Sequence, residues 1–300
     1  MKSIIKSLSW KIARFPISYK IYQASRMVTQ KRISAVIFSK DRVMQLHALL
    51  ESFFSTKIGE CKIIVIYAAS SNDHQKAYSE VEILYKDRVV FVNQNNFSSF
   101  KNCLVDVIAS IHSGKIFFLV DDIIFTEEVD YQGLASLNLH NIIFSLRMGQ
   151  NLTYSYVVSR EQPLPTFLVD EDGNLKWNWV DAILDWRYPL SVDGHIFNAA
   201  EVFLWAKHLD YISPSSFESA MQLLLFIYRN KSGMCFKKSR IVNIPANKVQ
   251  NEVANLHGEI HQDDLLHLWN KGFMINYQKL RGWKNNSVHQ MCDFEFIPRK

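Results

Sequence analysis

The sequence predicts an α/β fold, a mostly parallel sheet flanked by helices, and three observations predict it. Uninterrupted apolar, β-prone runs recur at Ser34 to Phe38, Lys62 to Tyr67, Val89 to Val92 and Ile116 to Val120. Runs without polar alternation belong to strands buried on both faces, as in parallel sheets. Helical spacing of apolar residues follows the first and third of these runs, which is the alternation of an α/β domain. The first and fourth runs end in polar clusters, Ser39-Lys40-Asp41-Arg42 and Asp121-Asp122, and ligands of such sheets bind beyond the carboxyl ends of the strands.

Taken in order, residues 1–32 carry Lys2, Lys6, Lys11, Arg14, Lys20, Arg26, Lys31 and Arg32 with no acidic residue, interleaved with Ile4, Ile5, Leu8, Trp10, Ile12 and Phe15. No apolar run there reaches the length of a membrane span, and no small-residue cleavage site follows one. Two readings stand for this basic amphipathic segment. One is peripheral contact with anionic lipid on the inner face of the cell membrane. The other is a helix packed on the domain with its basic face in water.

An α/β domain is expected over 33–245. After the first strand, Val43 to Phe54 places Leu46, Leu49, Leu50 and Phe53 on one helix face. Ala68 to Asp73 reads as a polar loop, and Phe97 to His112 as a helix ended by Ser113-Gly114. Beyond the aspartates, Asn141 to Leu146 and Thr153 to Val158 look like strands, with a turn at Asp172-Gly173. Tyr188 to Phe197 is a loop or short strand. Phe217 to Arg229 should be a helix capped by Ser215 or Ser216. After Pro245 the chain turns polar, with a further helix near Asp263 to Trp269. Residues 246–300 are expected to pack on the domain, since no linker separates two independent units.

A 48% hydrophobic content over 300 residues suffices for one large core. The four cysteines are widely spaced with no CxxC pair, against a zinc site or disulfide framework and in keeping with a reducing cytoplasm. A nucleic-acid partner is not expected, because basic residues are not interleaved with base-stacking aromatics outside the N-terminus. No nucleophile elbow, phosphate-binding glycine loop, HExxH or kinase signature is present.

Two adjacent carboxylates at the end of a buried strand repel unless a positive charge lies beside them. A hard divalent cation such as Mg²⁺, which takes one or two carboxylates plus substrate phosphates, is a natural neutraliser for Asp121 and Asp122. A solvated loop or helix cap is the plainer reading. Asp41 can accept from a base N–H or a ribose hydroxyl, and Arg42 can pair with phosphate; an N-cap aspartate with a solvated arginine is the alternative. Gly194 allows close backbone approach to a sugar, with Asp193 and His195 flanking it as an acid/base pair, or the three form a tight turn with a satisfied histidine.

The run Phe117 to Ile123 resembles the DxD region of glycosyltransferases with the GT-A fold, a Rossmann-like architecture. The Ser39 to Arg42 turn, followed by an apolar helix, is similar to the first nucleotide-contacting loop of that fold. The chain most resembles bacterial family-2-like transferases of surface polysaccharide assembly, well over Ile33 to Phe125 and loosely beyond. Val120 stands where many relatives carry a first acidic residue.

The resemblance implies a nucleoside diphosphate sugar donor, a glycan or lipid-linked acceptor, and Mn²⁺ or Mg²⁺. Asp122 would be the main metal ligand, with Asp121 a ribose or second metal contact. Ser39, Asp41 and Arg42 would lie on the nucleotide side, Gly194 and His195 on the sugar side. Glu218 falls where the family places an acidic base, although the usual Glu-Asp is here Glu218-Ser219. Asp193 is the rival base, and a first-turn glutamate stabilising its helix the plainer reading of Glu218. His257 would be the C-terminal histidine that some members recruit to the metal, against the reading of a surface histidine. Two other classes compete: a sugar-1-phosphate nucleotidyltransferase, weakened by the absence of glycine from Ser39 to Val43, and a non-catalytic binding protein of the same fold.

Overall fold

The computed structural model describes residues 16–27, 30–111, 114–245 and 261–299. Residues 1–15 of the basic N-terminal stretch, with four of its eight basic side chains, and His257 therefore lie outside the described residues.

Besides two pairings of two-residue strands, Lys57–Ile58 with Val129–Asp130 and Tyr154–Ser155 with Arg160–Glu161, the strands among the described residues are β1 (Ile33–Lys40), β2 (Lys62–Ala68), β3 (Val89–Asn93), β4 (Lys115–Val120), β5 (Ile123–Phe125), β6 (Ile142–Ser145), β7 (Leu168–Val169), β8 (Leu175–Asn178), β9 (His195–Asn198), β10 (Ser232–Cys235), β11 (Ile241–Asn243), β12 (Phe273–Ile275) and β13 (Phe296–Pro298). The main helices are α1 (Val43–Thr56), α2 (Asn72–Tyr85), α3 (Phe100–Ile111), α4 (Ala199–His208), α5 (Pro214–Met221) and α6 (Gln262–Asn270). Nine strands form one sheet in the order β7-β8-β10-β6-β9-β4-β1-β2-β3. β4, β1, β2 and β3 are mutually parallel. β9 runs antiparallel between β4 and β6, which returns β6 and its parallel neighbour β10 to the common direction.

Alternation along β1 and β2 divides the core in two. Ala35, Ile37, Ile63 and Val65 face one apolar cluster with α1, α2 and α6. Val36, Phe38, Ile64 and Ile66 face the other, with α3, α4 and α5. Both faces are thus covered over β1, β2 and β4, which is why their runs are apolar without alternation; β3, at the sheet edge, leaves Val90 exposed.

Helix α2 replaces what reads in sequence as a loop and an unassigned stretch. Ser71 caps it by accepting from His74 N at 3.3 Å, and its sparse buried face is Ala77, Tyr78, Val81 and Tyr85 with His74. The helix expected over Phe217 to Arg229 is interrupted. α5 starts earlier, with Ser213 as cap and Pro214 in the first turn, and a 3₁₀ turn over Gln222–Leu224 separates it from a single turn, Leu225–Tyr228. Of the strand expected at Thr153 to Val158, only Tyr154–Ser155 pairs.

Residues 16–24 are helical and dock on the domain. Ile21, Ala24 and Ser25 are buried, and Ser25 O accepts from Asn198 Nδ2 at 2.9 Å and Lys231 Nζ at 3.2 Å. At the other end of the chain, Trp269 of α6 meets His47 of α1 edge-on at 5.3 Å and donates to Glu80 of α2 at 3.0 Å. Beyond α6 the chain crosses to the carboxyl ends of the strands, where Asn151 Nδ2 donates to Asn285 O at 2.8 Å and Asn243 N to Val288 O at 3.0 Å. Among the described residues no helix is long and apolar enough to cross a membrane.

Candidate active site

Strands β1 and β4 are neighbours with Phe38 opposite Val120, so the two polar clusters emerge side by side. Asp121 N donates to Phe38 O at 3.1 Å, and Lys40 N returns a bond to Asp121 Oδ2 at 3.2 Å. The chain leaves β1 through Asp41, whose φ of 55° is in the left-handed region that aspartate tolerates better than most side chains. Asp41 Oδ1 accepts from Ser70 N at 2.8 Å, tying the ends of β1 and β2. The turn aims Arg42 at both aspartates: Nη1 is 3.1 Å from Asp121 Oδ1 and 3.5 Å from Asp122 Oδ2. Asn243 Nδ2 approaches the other Asp122 oxygen at 3.4 Å.

The segment before β9 lies alongside. Gly194 N donates to Phe118 O at 2.7 Å and Gly194 O accepts from Leu146 N at 2.9 Å, which sets Asp193 beside the end of β4. Arg147, immediately after β6, is buried and donates from Nη1 to Asp193 Oδ2 at 3.0 Å and to Ser191 Oγ at 2.9 Å. His289 Nε2 stands 3.9 Å from Asp193 Oδ2. Glu218, on α5, braces the loop from behind: Oε2 accepts from Val192 N at 2.8 Å and Ser191 Oγ at 3.3 Å, and Oε1 from Tyr188 OH at 2.9 Å.

The result is a wall of carboxylates set into a poorly hydrated rim. Burial raises Asp122 to about 7, with Asp121 and Asp193 adding to the rise and Arg42 opposing it. Burial also raises Asp121, against the pull of Arg42. Glu218 is pushed up to about 7 by burial and then by the charge of Asp193. His289 is lowered by burial and by Arg147, so it stands as a neutral imidazole near neutral pH.

Asp121, Asp122, Arg42 and Asp193 therefore share one site, with Asp41 at its edge. Ser39 is buried at the edge of the site, its hydroxyl 2.6 Å from Tyr78 OH and its side chain also hydrogen-bonded to Asp121. His195 faces inward, Nδ1 3.0 Å from Pro189 O and its ring 5.6 Å from Trp179; it does not pair with Asp193 across Gly194. Gly194 has φ +72°, and a Cβ there would lie 2.4 Å from Ile241 Cδ1, so the protein itself fills that space. Arg147, Asn243 and His289 join the site without any local sequence signal. They stand 26, 122 and 168 positions after Asp121, and only the strand order brings them together.

Among the described residues, no three His, Cys, Asp or Glu side chains stand close enough to enclose an ion. The donors present nonetheless suit a hard cation that keeps part of its shell in phosphate and water. Asp122 is incompletely neutralised, and the Asn243 amide beside it has a buried Oδ1 with no partner.

No protein-family model matches the chain. Among curated proteins, the chain is similar to the bifunctional glycosyltransferase pgtA of Dictyostelium discoideum, 26% identical over 189 residues, covering 57% of this chain and 24% of that protein. The chain thus spans about a quarter of the length of the curated relative it matches. Among solved structures, S. aureus TarS 1-349 in complex with UDP aligns with TM-score 0.46 at 12% identity, over 70% of this chain and 59% of that one. GalNAc-T7 with UDP, GalNAc and Mn²⁺ aligns with TM-score 0.45 at 13% identity, over 71% and 43%.

Proposed function

We infer that the protein is a metal-dependent glycosyltransferase, moving a sugar from a nucleoside diphosphate donor to a hydroxyl of a glycan or glycolipid. The observation that carries the reading is the convergence of Asp121, Asp122, Arg42 and Asp193 at the carboxyl rim of a doubly covered sheet. The curated relative, itself a glycosyltransferase, supports the class. The resemblance over Ile33 to Phe125 to family-2-like transferases suggests surface polysaccharide assembly as the setting, and the basic residues of 1–32 suggest the inner face of the membrane.

Asp122 would hold Mn²⁺ or Mg²⁺, with the Asn243 amide beside it and His289 alongside Asp193 as a candidate further ligand. The ion would supply charge neutralisation for the departing diphosphate. Arg42 would pair with the diphosphate when the donor enters, exchanging its contact with Asp122 for phosphate oxygens. Asp121, held by Lys40 N and Arg42, would accept from a ribose hydroxyl.

For the acceptor, Asp193 is the better-placed base. Its Oδ2 is held by Arg147 at 3.0 Å, while both oxygens of Glu218 are engaged by the loop. Asp193 would take the hydroxyl proton as the acceptor oxygen bonds to the anomeric carbon and the bond to diphosphate breaks. Glu218 positions that loop.

A panel of sugar nucleotides assayed for Mn²⁺-dependent hydrolysis and transfer tests the reading. Turnover should require metal and vanish in Asp122→Ala with folding intact. A chain that binds donor but turns over none of the panel would instead be a binding protein of this fold.

A further inference from the structure

The rim opposite the candidate active site carries a second, basic surface. The parallel strands begin there, with Ile33 opposite Lys115 and Ser34 opposite Lys62, one sheet height from Lys40 and Asp121. Seven residue steps along β1 put the two rims roughly 23 Å apart. A cleft of about 400 Å³ at this rim is lined by Lys31, Arg32, Lys62, Glu60, Ser110 and Gly114 among others. All three basic side chains are exposed. Glu60, the acid among the lining residues, faces Lys57 at 3.6 Å, and Lys31, Arg32 and Lys62 form no ion pair among the described residues.

The N-terminal helix lies on the same rim. Asn198, at the end of β9, pairs with Lys115, and both Asn198 and Lys231, just before β10, hold Ser25 O. From β10 to β2 there are five strand spacings, about 24 Å of continuous edge. On its outer side the helical segment shows Tyr19 and Tyr22, followed by Met27, at 56%, 40% and 58% exposure. The Arg26 guanidinium lies over the Tyr22 ring, 5.1 Å from its centroid, and donates to the Tyr22 hydroxyl, so a cation and an aromatic ring are exposed together. The residues that lead into this helix add four basic side chains and no acidic one.

We propose that this rim is a docking surface for an anionic lipid bilayer. The cleft at Lys31, Arg32 and Lys62 takes phosphate headgroups, and Tyr19, Tyr22 and Met27 enter the headgroup boundary. Interfacial tyrosines beside basic side chains are what such a boundary favours. The choice of lipid as partner rests on the peripheral-contact reading of the N-terminus; the choice of surface rests on the geometry of the rim. Docked this way, the sheet stands on the membrane with the donor site facing away from it, accessible to soluble sugar nucleotide.

Full-length protein should cosediment with phosphatidylcholine vesicles containing phosphatidylglycerol, progressively less as salt is raised, and not with phosphatidylcholine alone. Lys31→Glu/Arg32→Glu/Lys62→Glu should weaken binding about a hundredfold or more, and Tyr19→Ser/Tyr22→Ser should weaken it independently. Both variants should keep the wild-type thermal midpoint and donor binding. Equal binding to the two vesicle types, or none to either, overturns the membrane reading and the proposal with it. Salt-sensitive binding that the triple charge reversal leaves unchanged overturns the rim alone.

Discussion

The guanidinium of Arg42 meets the carboxylate of Asp121 at 3.1 Å, with side-chain exposures of only 11% and 4%. A shielded pair of this kind owes little of its worth to attraction alone, because both ions have left water. Breaking it from one side is what costs. Arg42→Met should destabilise the protein by about 3–5 kcal/mol, read from urea unfolding. The loss should shrink as pH falls, because the raised carboxyls of Asp121 and Asp122 then take up protons and no longer need the cation. A loss independent of pH would show that Arg42 acts through packing.

Asp122→Asn should have the opposite effect on stability. A carboxyl whose folded pKa is raised to about 7, from about 3.9 in the unfolded chain, binds its proton more tightly when folded. Its ionisation therefore costs stability progressively as pH rises from about 4 to 7, and the cost is complete above that. The amide removes it, so the melting midpoint should rise at about pH 8, by the equivalent of roughly 1–3 kcal/mol, and hardly change at about pH 4. Turnover should be lost at the same time. Mn²⁺ with donor should stabilise the wild type more at about pH 8 than at about pH 6, since the ionised form is the ligand.

The half of the fold built from β1 to β4 was readable because its strands are unbroken apolar runs, three of them, β1, β2 and β4, buried on both faces. The rim aspartates were readable because such a run ended in them. Helix α2 escaped because its buried positions are few and polar residues such as His74 stand among them. In the second half the strand at Ile142–Ser145 and the helix at Gln262–Asn270 were readable, but most other elements there escaped, because the strands are two to four residues long and the helix at Phe217 breaks at Gln222. His195 has the residue type of a site but points into the core, a matter of loop path that spacing does not encode. Arg147 and His289 were silent for the converse reason: nothing near either of them in sequence marks a site.

Asp193 and Glu218 can be told apart by kinetics. Asp193→Asn should lower kcat by about 10²–10⁴-fold. Glu218→Gln keeps a bond acceptor for Val192 N and should lose far less, mostly through a looser loop. Asp193→Asn should also lower the pKa of Glu218, whose rise owes part to the Asp193 charge. A severe kcat loss in Glu218→Gln with Asp193→Asn near wild type would exchange the two roles.

His289 stands 3.9 Å from Asp193 with a neutral ring favoured by burial and Arg147, the form in which imidazole binds metal. His289→Gln should raise the Mn²⁺ concentration needed for half-maximal activity by roughly 10–100-fold and leave the metal-free melting midpoint in place. An unchanged metal requirement would assign the histidine to acceptor contact or packing.

Gly194 distinguishes a glycine needed by the fold from one needed by a substrate. Its φ of +72° alone costs an L side chain about 1–2 kcal/mol, and the added Cβ would sit 2.4 Å from Ile241 Cδ1 and 3.3 Å from Leu146 Cβ. Gly194→Ala should therefore destabilise by about 2–4 kcal/mol. Ile241→Val deletes the methyl that clashes, so the double variant should recover the steric part and retain the backbone part, giving a favourable coupling of about 1–2 kcal/mol in a double-mutant cycle. Were Gly194→Ala instead to fold normally and raise only the KM for donor, the open face of this glycine would belong to the sugar.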